Sequence, residues 1–163
     1  MQFQRVKHII RDAIIFFFCF VFRYGRALPA ILLYHSVSPQ KHWLSLSPEA
    51  FEAHIIRLRE TGHIFVSLTE IEKKRLLCDG KKYVAMTFDD GFEDNYIYAV
   101  PLLKKYHIPA TFFVSTNYIG TKNEKKEFDC MPWEQLVMLA NDPLFSIASH
   151  AQSHSKFPFL SAS

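Results

Sequence analysis

The stretch "MTFDDGF", from Met86 to Phe92, places two adjacent carboxylates between an apolar run and a glycine. The residues that lead into it, "YVAMTF" (83–88), are apolar and β-favouring, which predicts a buried strand with Asp89 and Asp90 at its carboxyl end. Like charges on neighbouring residues repel unless solvent, a cation or a shared proton separates their roles. The two aspartates therefore belong either to an exposed turn or to a functional site. The secondary structure predicted around them distinguishes these two interpretations.

Strand and helix patterns alternate upstream of this stretch. The run "AILLYHSV" predicts a strand that ends near His35. A helix follows, with Ser47 as its N-cap and Gly62 as its stop. The run "HIFVS" predicts a second strand, and Ser67 with Glu70 three residues later forms a capping-box pattern that opens another helix.

The alternation continues downstream. A helical segment covers about 94–106 and is interrupted by Pro101. The run "ATFFVS" predicts a fourth strand, a helix begins at Pro132, and "FSIAS" predicts a fifth strand that ends just before His150. Five alternations without a fixed repeat indicate parallel βα units, so the predicted fold class is α/β, in a sheet or a barrel.

Residues able to do chemistry follow three of the predicted strands: His35 after the first, Asp89 and Asp90 after the third, and His150 and His154 after the fifth. In (β/α) barrels the active site lies at these carboxyl ends, so the five residues would share one mouth. One carboxylate and two imidazoles are a common ligand set for zinc or another divalent metal. One aspartate could then bind the cation while the other accepts a proton from water.

Each of these features also has an ordinary structural interpretation. A DDG tripeptide is often only a turn, HxxxH occurs by chance, and His35 could be a core histidine in an apolar strand. Only their shared position at strand ends favours a site. Nothing in the sequence recommends the remaining histidines, His8, His42, His54, His63 and His107.

The segment "TFDDG", together with the later "HAQSH", resembles the two motifs of the polysaccharide deacetylase family of carbohydrate esterases. The resemblance implies a partial (β/α) barrel in which Asp89 is the general base and Asp90, His150 and His154 bind a divalent metal. Zn²⁺ is expected first, with Co²⁺ or Ni²⁺ as alternatives. The "YHSV" segment is similar to the permuted members that deacetylate poly-β-1,6-linked N-acetylglucosamine, which implies His35 as the general acid.

The resemblance extends over about residues 31–160 and implies N-deacetylation of an N-acetylated polysaccharide. Ala151 replaces a hydroxyl residue expected to hold the loop through a hydrogen bond, and the family's later motifs do not occur before Ser163. An incomplete deacetylase domain over residues 28–163, with at most weak activity, is therefore expected. An inactive fragment, a binding remnant or a metal-dependent hydrolase of another ester or amide are the alternatives.

Composition excludes some functions and leaves a question about export. A formal charge of +3 over 163 residues gives no reason to expect nucleic acid, and the three cysteines show no metal or disulfide spacing. The apolar run "AIIFFFCFVF" follows basic residues, and a buried core helix is one alternative for it. Residues 1–27 are nevertheless expected to be a signal peptide or a membrane anchor. Either would place the domain outside the cytoplasm, as a periplasmic, cell-surface or membrane-anchored protein.

Overall fold

The computed structural model describes residues 28–77, 79–123 and 127–153. Within these ranges the chain alternates strands and helices, which confirms the α/β class. The strands and helices, in chain order, are β1 (Ala30–Tyr34), β2 (Ser36–Val37), β3 (Ser45–Leu46), α1 (Pro48–Glu60), β4 (His63–Phe65), α2 (Leu68–Leu77), β5 (Lys82–Phe88), a π-helix (Asn95–Ala99), α3 (Val100–Lys105), β6 (Ala110–Val114), a 3₁₀ turn (Thr116–Tyr118), α4 (Trp133–Ala140) and β7 (Phe145–Ser149).

The main sheet is parallel and is built around β5. Strand β1 pairs with β5, which pairs with β6, which pairs with β7, while β4 pairs with the beginning of β5. The five predicted strands are these five. A separate ladder of β2 with β3 was not predicted, because two residues a strand are too few to leave a sequence pattern. All five strands of the main sheet therefore point their carboxyl ends to the same edge.

Aromatic rings on four neighbouring strands form a row across the main sheet. We call Tyr34, Phe88, Phe112 and Phe145 the core ring row. Tyr34 and Phe88 are register partners and stack with ring centroids 5.5 Å apart, and Phe88 and Phe112 are also partners, 5.0 Å apart. Phe145 meets Phe112 edge-on at 5.7 Å. Phe88 and Phe112 are fully buried, so the row lies in the hydrophobic core.

The predicted helix boundaries upstream of β5 are confirmed. The Ser47 hydroxyl accepts a hydrogen bond from the Ala50 N–H at 3.2 Å, which caps α1. The Glu70 carboxylate accepts from the Ser67 N–H at 3.1 Å, and the Ser67 hydroxyl accepts from the Glu70 N–H at 3.3 Å. This is the reciprocal capping box at the start of α2.

Pro101 is the point at which the helical segment after the DDG stretch changes its form. Residues Asn95–Ala99 form a π-helix, and Pro101 lies in the first turn of α3. Proline has no N–H to donate, and the first turn of an α-helix is where that donor is not needed. The predicted interruption is thus a change from π- to α-helix rather than a break.

Two of the sequence predictions lie outside the described residues: the signal peptide or anchor over residues 1–27, and His154. In the ranges that the structure describes, no helix combines the length and the apolar character that a membrane crossing requires.

Candidate active site

The ends of β1 and β5 bring two predicted site residues to one place. Tyr34 and Phe88 end their strands as register partners, and the Asp89 N–H donates to the Tyr34 carbonyl at 2.9 Å. His35 and Asp89 therefore follow neighbouring strands at the same edge of the sheet. Both residues are partly exposed, so solvent can reach this edge.

A left-handed turn redirects the chain directly after Asp89. Asp90 has a φ of 70° and Gly91 a φ of 74°. A Cβ atom on Gly91 would lie 2.9 Å from Val114 Cγ1, so the close approach of the turn to β6 requires glycine as well. A positive φ is uncommon for a residue with a side chain, and aspartate tolerates it better than most. The strand β5 therefore ends directly before this turn, which carries Asp90 and Gly91.

The turn places the Asp90 carboxylate next to His150. Asp90 Oδ1 and His150 Nε2 are 3.5 Å apart, and the two side chains are 15% and 27% exposed. His150 is fixed from the backbone, because its N–H donates to the Val114 carbonyl at 2.9 Å and so prolongs the pairing of β7 with β6. Residues 60 positions apart in the chain are thus neighbours, as the strand-end argument predicted.

This pair suits a divalent cation. A carboxylate oxygen and an imidazole nitrogen are typical zinc ligands, and two ligand atoms of a tetrahedral zinc are roughly 3.4 Å apart. Among the described residues, no group of three or more His, Cys, Asp or Glu side chains is placed to hold a metal. The third predicted ligand, His154, lies outside them, so the full ligand set stays a prediction.

Backbone contacts hold the loop that carries His150, although Ala151 lacks the expected hydroxyl. The Thr116 N–H donates to the Ala151 carbonyl at 3.3 Å, and the Asn117 N–H donates to the Gln152 carbonyl at 2.9 Å. The Ser115 hydroxyl also donates to the His150 carbonyl, at 3.2 Å. The segment that follows β6 therefore holds this loop without a hydroxyl group at position 151.

Asn95 is a site residue that sequence reasoning missed. Its side-chain amide donates to the His35 carbonyl at 2.7 Å and accepts from the Val37 N–H at 3.1 Å. Asn95 is fully buried, so these bonds are shielded from water. The contact spans about sixty residues of sequence, and no local pattern announces it. Asn95 fixes the backbone on both sides of Ser36 and thereby the position of His35.

Asp94 binds the same loop through Ser36. The Ser36 hydroxyl donates to Asp94 Oδ2 at 2.5 Å and lies 2.8 Å from the Ser45 hydroxyl. Asp94 Oδ1 is buried without a hydrogen-bond partner among the described residues. Burial raises the pKa of Asp94 to about 6, because this effect is larger than that of the hydrogen bond from Ser36, which lowers the pKa. The sequence marked Asp94 only as the beginning of a helix.

The segment after the turn is held by residues 128–131. The Met131 N–H donates to the Gly91 carbonyl at 3.0 Å, and Phe92 and Cys130 form an antiparallel bridge. Burial is the main cause that raises the pKa of the Cys130 thiol to about 12, and nearby carboxylates act in the same direction. Cys130 is thus a protonated thiol in the core.

The chain is thus an α/β protein with a parallel sheet, and a carboxylate and a histidine meet at the carboxyl edge of that sheet, where active sites of such folds lie. The family model for polysaccharide deacetylase matches residues 77–163. This chain belongs to the polysaccharide deacetylase family.

Relatives and solved structures agree with this assignment. YxkH of Bacillus subtilis (strain 168), which carries the name of a polysaccharide deacetylase, is 38% identical over 128 residues, covering 76% of this chain and 42% of that protein. A Staphylococcus epidermidis poly-β-1,6-N-acetyl-D-glucosamine N-deacetylase is 38% identical over 95 residues, covering 53% and 33%. The structure of IcaB from Ammonifex degensii aligns with a TM-score of 0.70 at 33% identity, over 77% of this chain and 54% of that one. The chain thus spans about half or less of these proteins.

Proposed function

We propose that this chain carries the catalytic site of a metal-dependent N-deacetylase that acts on a polysaccharide containing N-acetylglucosamine. The observation that carries the proposal is the approach of Asp90 to His150, at the sheet edge where Asp89 and His35 also lie. The named relative from Staphylococcus epidermidis supports the choice of substrate class. These four residues follow three different strands, so the fold and not their spacing in the sequence brings them to one edge.

Asp90, His150 and His154 would hold a divalent metal, with Zn²⁺ expected first and Co²⁺ or Ni²⁺ as alternatives. Such a metal supplies Lewis acidity, which polarises a carbonyl and lowers the pKa of water. A carboxylate oxygen and imidazole nitrogens are donors that such cations bind.

The reaction assigned to the remaining residues is hydrolysis of an acetamide. Asp89 takes a proton from the attacking water, whose oxygen bonds to the acetyl carbon. The carbon–nitrogen bond then breaks, and His35 donates a proton to the leaving amine. Acetate and a glucosamine unit are the products. In this proposal the bonds from Asn95 hold His35 at the mouth.

The test combines an activity assay with a metal measurement. The full chain is incubated with a β-1,6-linked N-acetylglucosamine oligomer, and released acetate and bound zinc, cobalt and nickel are measured. We expect Asp89→Asn to retain the metal and lose deacetylation, and His150→Ala or His154→Ala to lose metal. His54→Ala, a histidine on α1, is the matched control and should change neither quantity. Equal metal content in all variants would reject the ligands, and an active Asp89→Asn would reject the base.

We further propose that the domain works outside the cytoplasm, either exported or anchored through residues 1–27. Support comes from the basic residues and the apolar run at positions 5–22. N-terminal sequencing of membrane and soluble fractions tests this. A product that begins at Leu28 indicates cleavage, a full-length product in the membrane indicates an anchor, and a full-length cytoplasmic product contradicts both.

A further inference from the structure

A second row of rings begins at the candidate active site and ends in solvent. We call Phe92, Phe128, His42 and Trp43 the mouth ring row. Phe92 and Phe128 stack with centroids 4.3 Å apart, Phe128 meets His42 edge-on at 4.8 Å, and His42 and Trp43 are 5.8 Å apart. Phe92 is 1% exposed and Trp43 is 79% exposed, more than any other large apolar side chain in the described residues. The row thus leads outward from a buried ring.

Both ends of this row are tied to loops that carry predicted site residues. Phe92 lies two residues after Asp90. At the other end, the Ser36 N–H donates to the Leu44 carbonyl at 3.3 Å, which links the loop of Trp43 to the loop of His35. The row therefore borders the mouth formed by the ends of β1 and β5.

The rings are held in place before any ligand binds. His42 Nδ1 accepts from the Leu44 N–H at 3.2 Å, which fixes the imidazole in its contact with Phe128. The Asn123 side chain accepts from the Phe128 N–H at 3.1 Å, and the Asn123 N–H donates to the Phe128 carbonyl at 2.9 Å. The two rings that adjoin Trp43 are thus already ordered, so ordering them adds no cost when a ligand binds.

Beside Trp43 lies an open groove of about 530 Å³. Its lining combines the indole ring with side chains that can form hydrogen bonds, among them Gln40, Lys41 and Ser45. An aromatic face offers apolar area and a negative quadrupole, while polar groups around it supply direction. A pyranose ring has the matching surface, because it presents C–H bonds on its faces and hydroxyl groups on its rim.

We propose that Trp43 and the adjoining groove form a subsite for a sugar unit of the polysaccharide, next to the unit whose acetamide is hydrolysed. The proposal rests on the proposed function for the identity of the polymer. The Trp43 indole stacks on one face of the pyranose, and His42 and Phe128 support the indole at the mouth. Polymer binding then extends beyond the reacting residue, which positions the chain of sugars across the site.

The two tryptophans of the chain allow a direct test. Trp133 lies on α4, outside the mouth ring row, so Trp133→Phe leaves Trp43 as the only indole fluorophore. A β-1,6-linked N-acetylglucosamine pentamer is titrated into this variant of the full chain. We expect the Trp43 emission to shift to shorter wavelength and its quenching by acrylamide to fall. In the matched Trp43→Phe variant, the Trp133 emission should not change.

Affinity measurements complete the test. Trp43→Ala should weaken binding of the pentamer by about tenfold, which corresponds to about 1.4 kcal/mol, while Trp43→Tyr, which keeps a flat ring, should restore most of it. His54→Ala, at an exposed position on α1, should bind as the wild type does. Unchanged affinity of Trp43→Ala, or no response of Trp43 to the pentamer, would overturn the proposal. So would a Trp43 shift caused only by phosphatidylglycerol vesicles, because this would indicate a membrane surface.

The outcome is separable from that of the proposed function, because the titration measures binding and needs no turnover. A chain that releases no acetate but binds the pentamer through Trp43 contradicts the enzyme and supports the subsite. If the wild type releases acetate and Trp43→Ala binds the pentamer as tightly as the wild type does, the result supports the enzyme and contradicts the subsite.

Discussion

Two rows of aromatic rings in this protein differ in what surrounds them. In the core ring row, rings on neighbouring strands pack at 5.0 to 5.7 Å. In the mouth ring row, rings from three separate segments pack at 4.3 to 5.8 Å. Phe88 and Phe112 are completely buried, whereas exposure in the mouth row rises to 79% at Trp43. A ring that is covered on both faces contributes to the stability of the fold. A ring with one open face can also contact a ligand.

The largest effect should follow from opening the core ring row. Phe88→Ala removes a fully buried ring that packs on Tyr34, Phe51 and Phe112. We expect the free energy of unfolding to fall by about 3–5 kcal/mol, because the change loses transfer energy and leaves a cavity. Urea denaturation measures the loss, and Phe88→Leu, which keeps most of the volume, should cost less. A loss below about 1 kcal/mol would show that the core row does not carry the stability assigned to it.

A smaller effect is expected at Asn95, which fixes the loop between the end of β1 and the mouth. In Asn95→Ala the His35 carbonyl and the Val37 N–H each lose a partner. The expected loss of unfolding free energy is about 2–3 kcal/mol, measured in urea. Asn117→Ala, at an exposed position whose N–H still reaches the Gln152 carbonyl, is the control and should stay within about 0.5 kcal/mol of the wild type. Equal losses in the two variants would contradict the anchoring role.

Asp94 should make stability depend on pH in a definite direction. Its pKa is raised from 3.8 to about 6, mainly by burial. Between these values the folded protein keeps the proton that the unfolded chain releases, so this contribution to stability falls as pH rises and is lost above about pH 6. We expect the wild type to lose on the order of 1–2 kcal/mol more than Asp94→Asn between about pH 4 and about pH 7. Parallel pH curves from urea titrations would show that Asp94 titrates normally.

The smallest effect on stability should occur at Trp43. Its side chain is 79% exposed, and its ring contacts the ring of His42 at the outer end of the mouth ring row. Trp43→Ala should therefore change the free energy of unfolding by no more than about 0.5 kcal/mol, although we expect it to weaken binding of the sugar oligomer. Thermal and urea unfolding of the two proteins measure this. A loss of unfolding free energy comparable to that of Phe88→Ala would show that Trp43 stabilises the fold. The two ring rows would then not differ in their contribution to stability.

The sequence alone determined the features that depend on neighbours within a few residues. Ser47 and the pair Ser67 and Glu70 mark helix starts because a cap bonds N–H groups two or three positions away. The strands showed themselves as apolar, β-favouring runs, and parallel order followed from their alternation with helices. Asp90 and His150 could be predicted as neighbours because parallel strands end at one edge.

Only the tertiary structure decided the rest. The close approach of Gly91 to Val114, where a Cβ atom would lie 2.9 Å from Cγ1, exists only once the turn has packed against β6, and no local pattern encodes it. The bonds of Asn95 to the loop of His35 join residues about sixty positions apart, so they exist only once β1 and β5 have paired. His42 appeared to be an ordinary histidine in the sequence, and it became part of a ring row because three distant segments fold against one another. Such contacts depend on long-range packing, and the periodicity of a sequence contains no information about it.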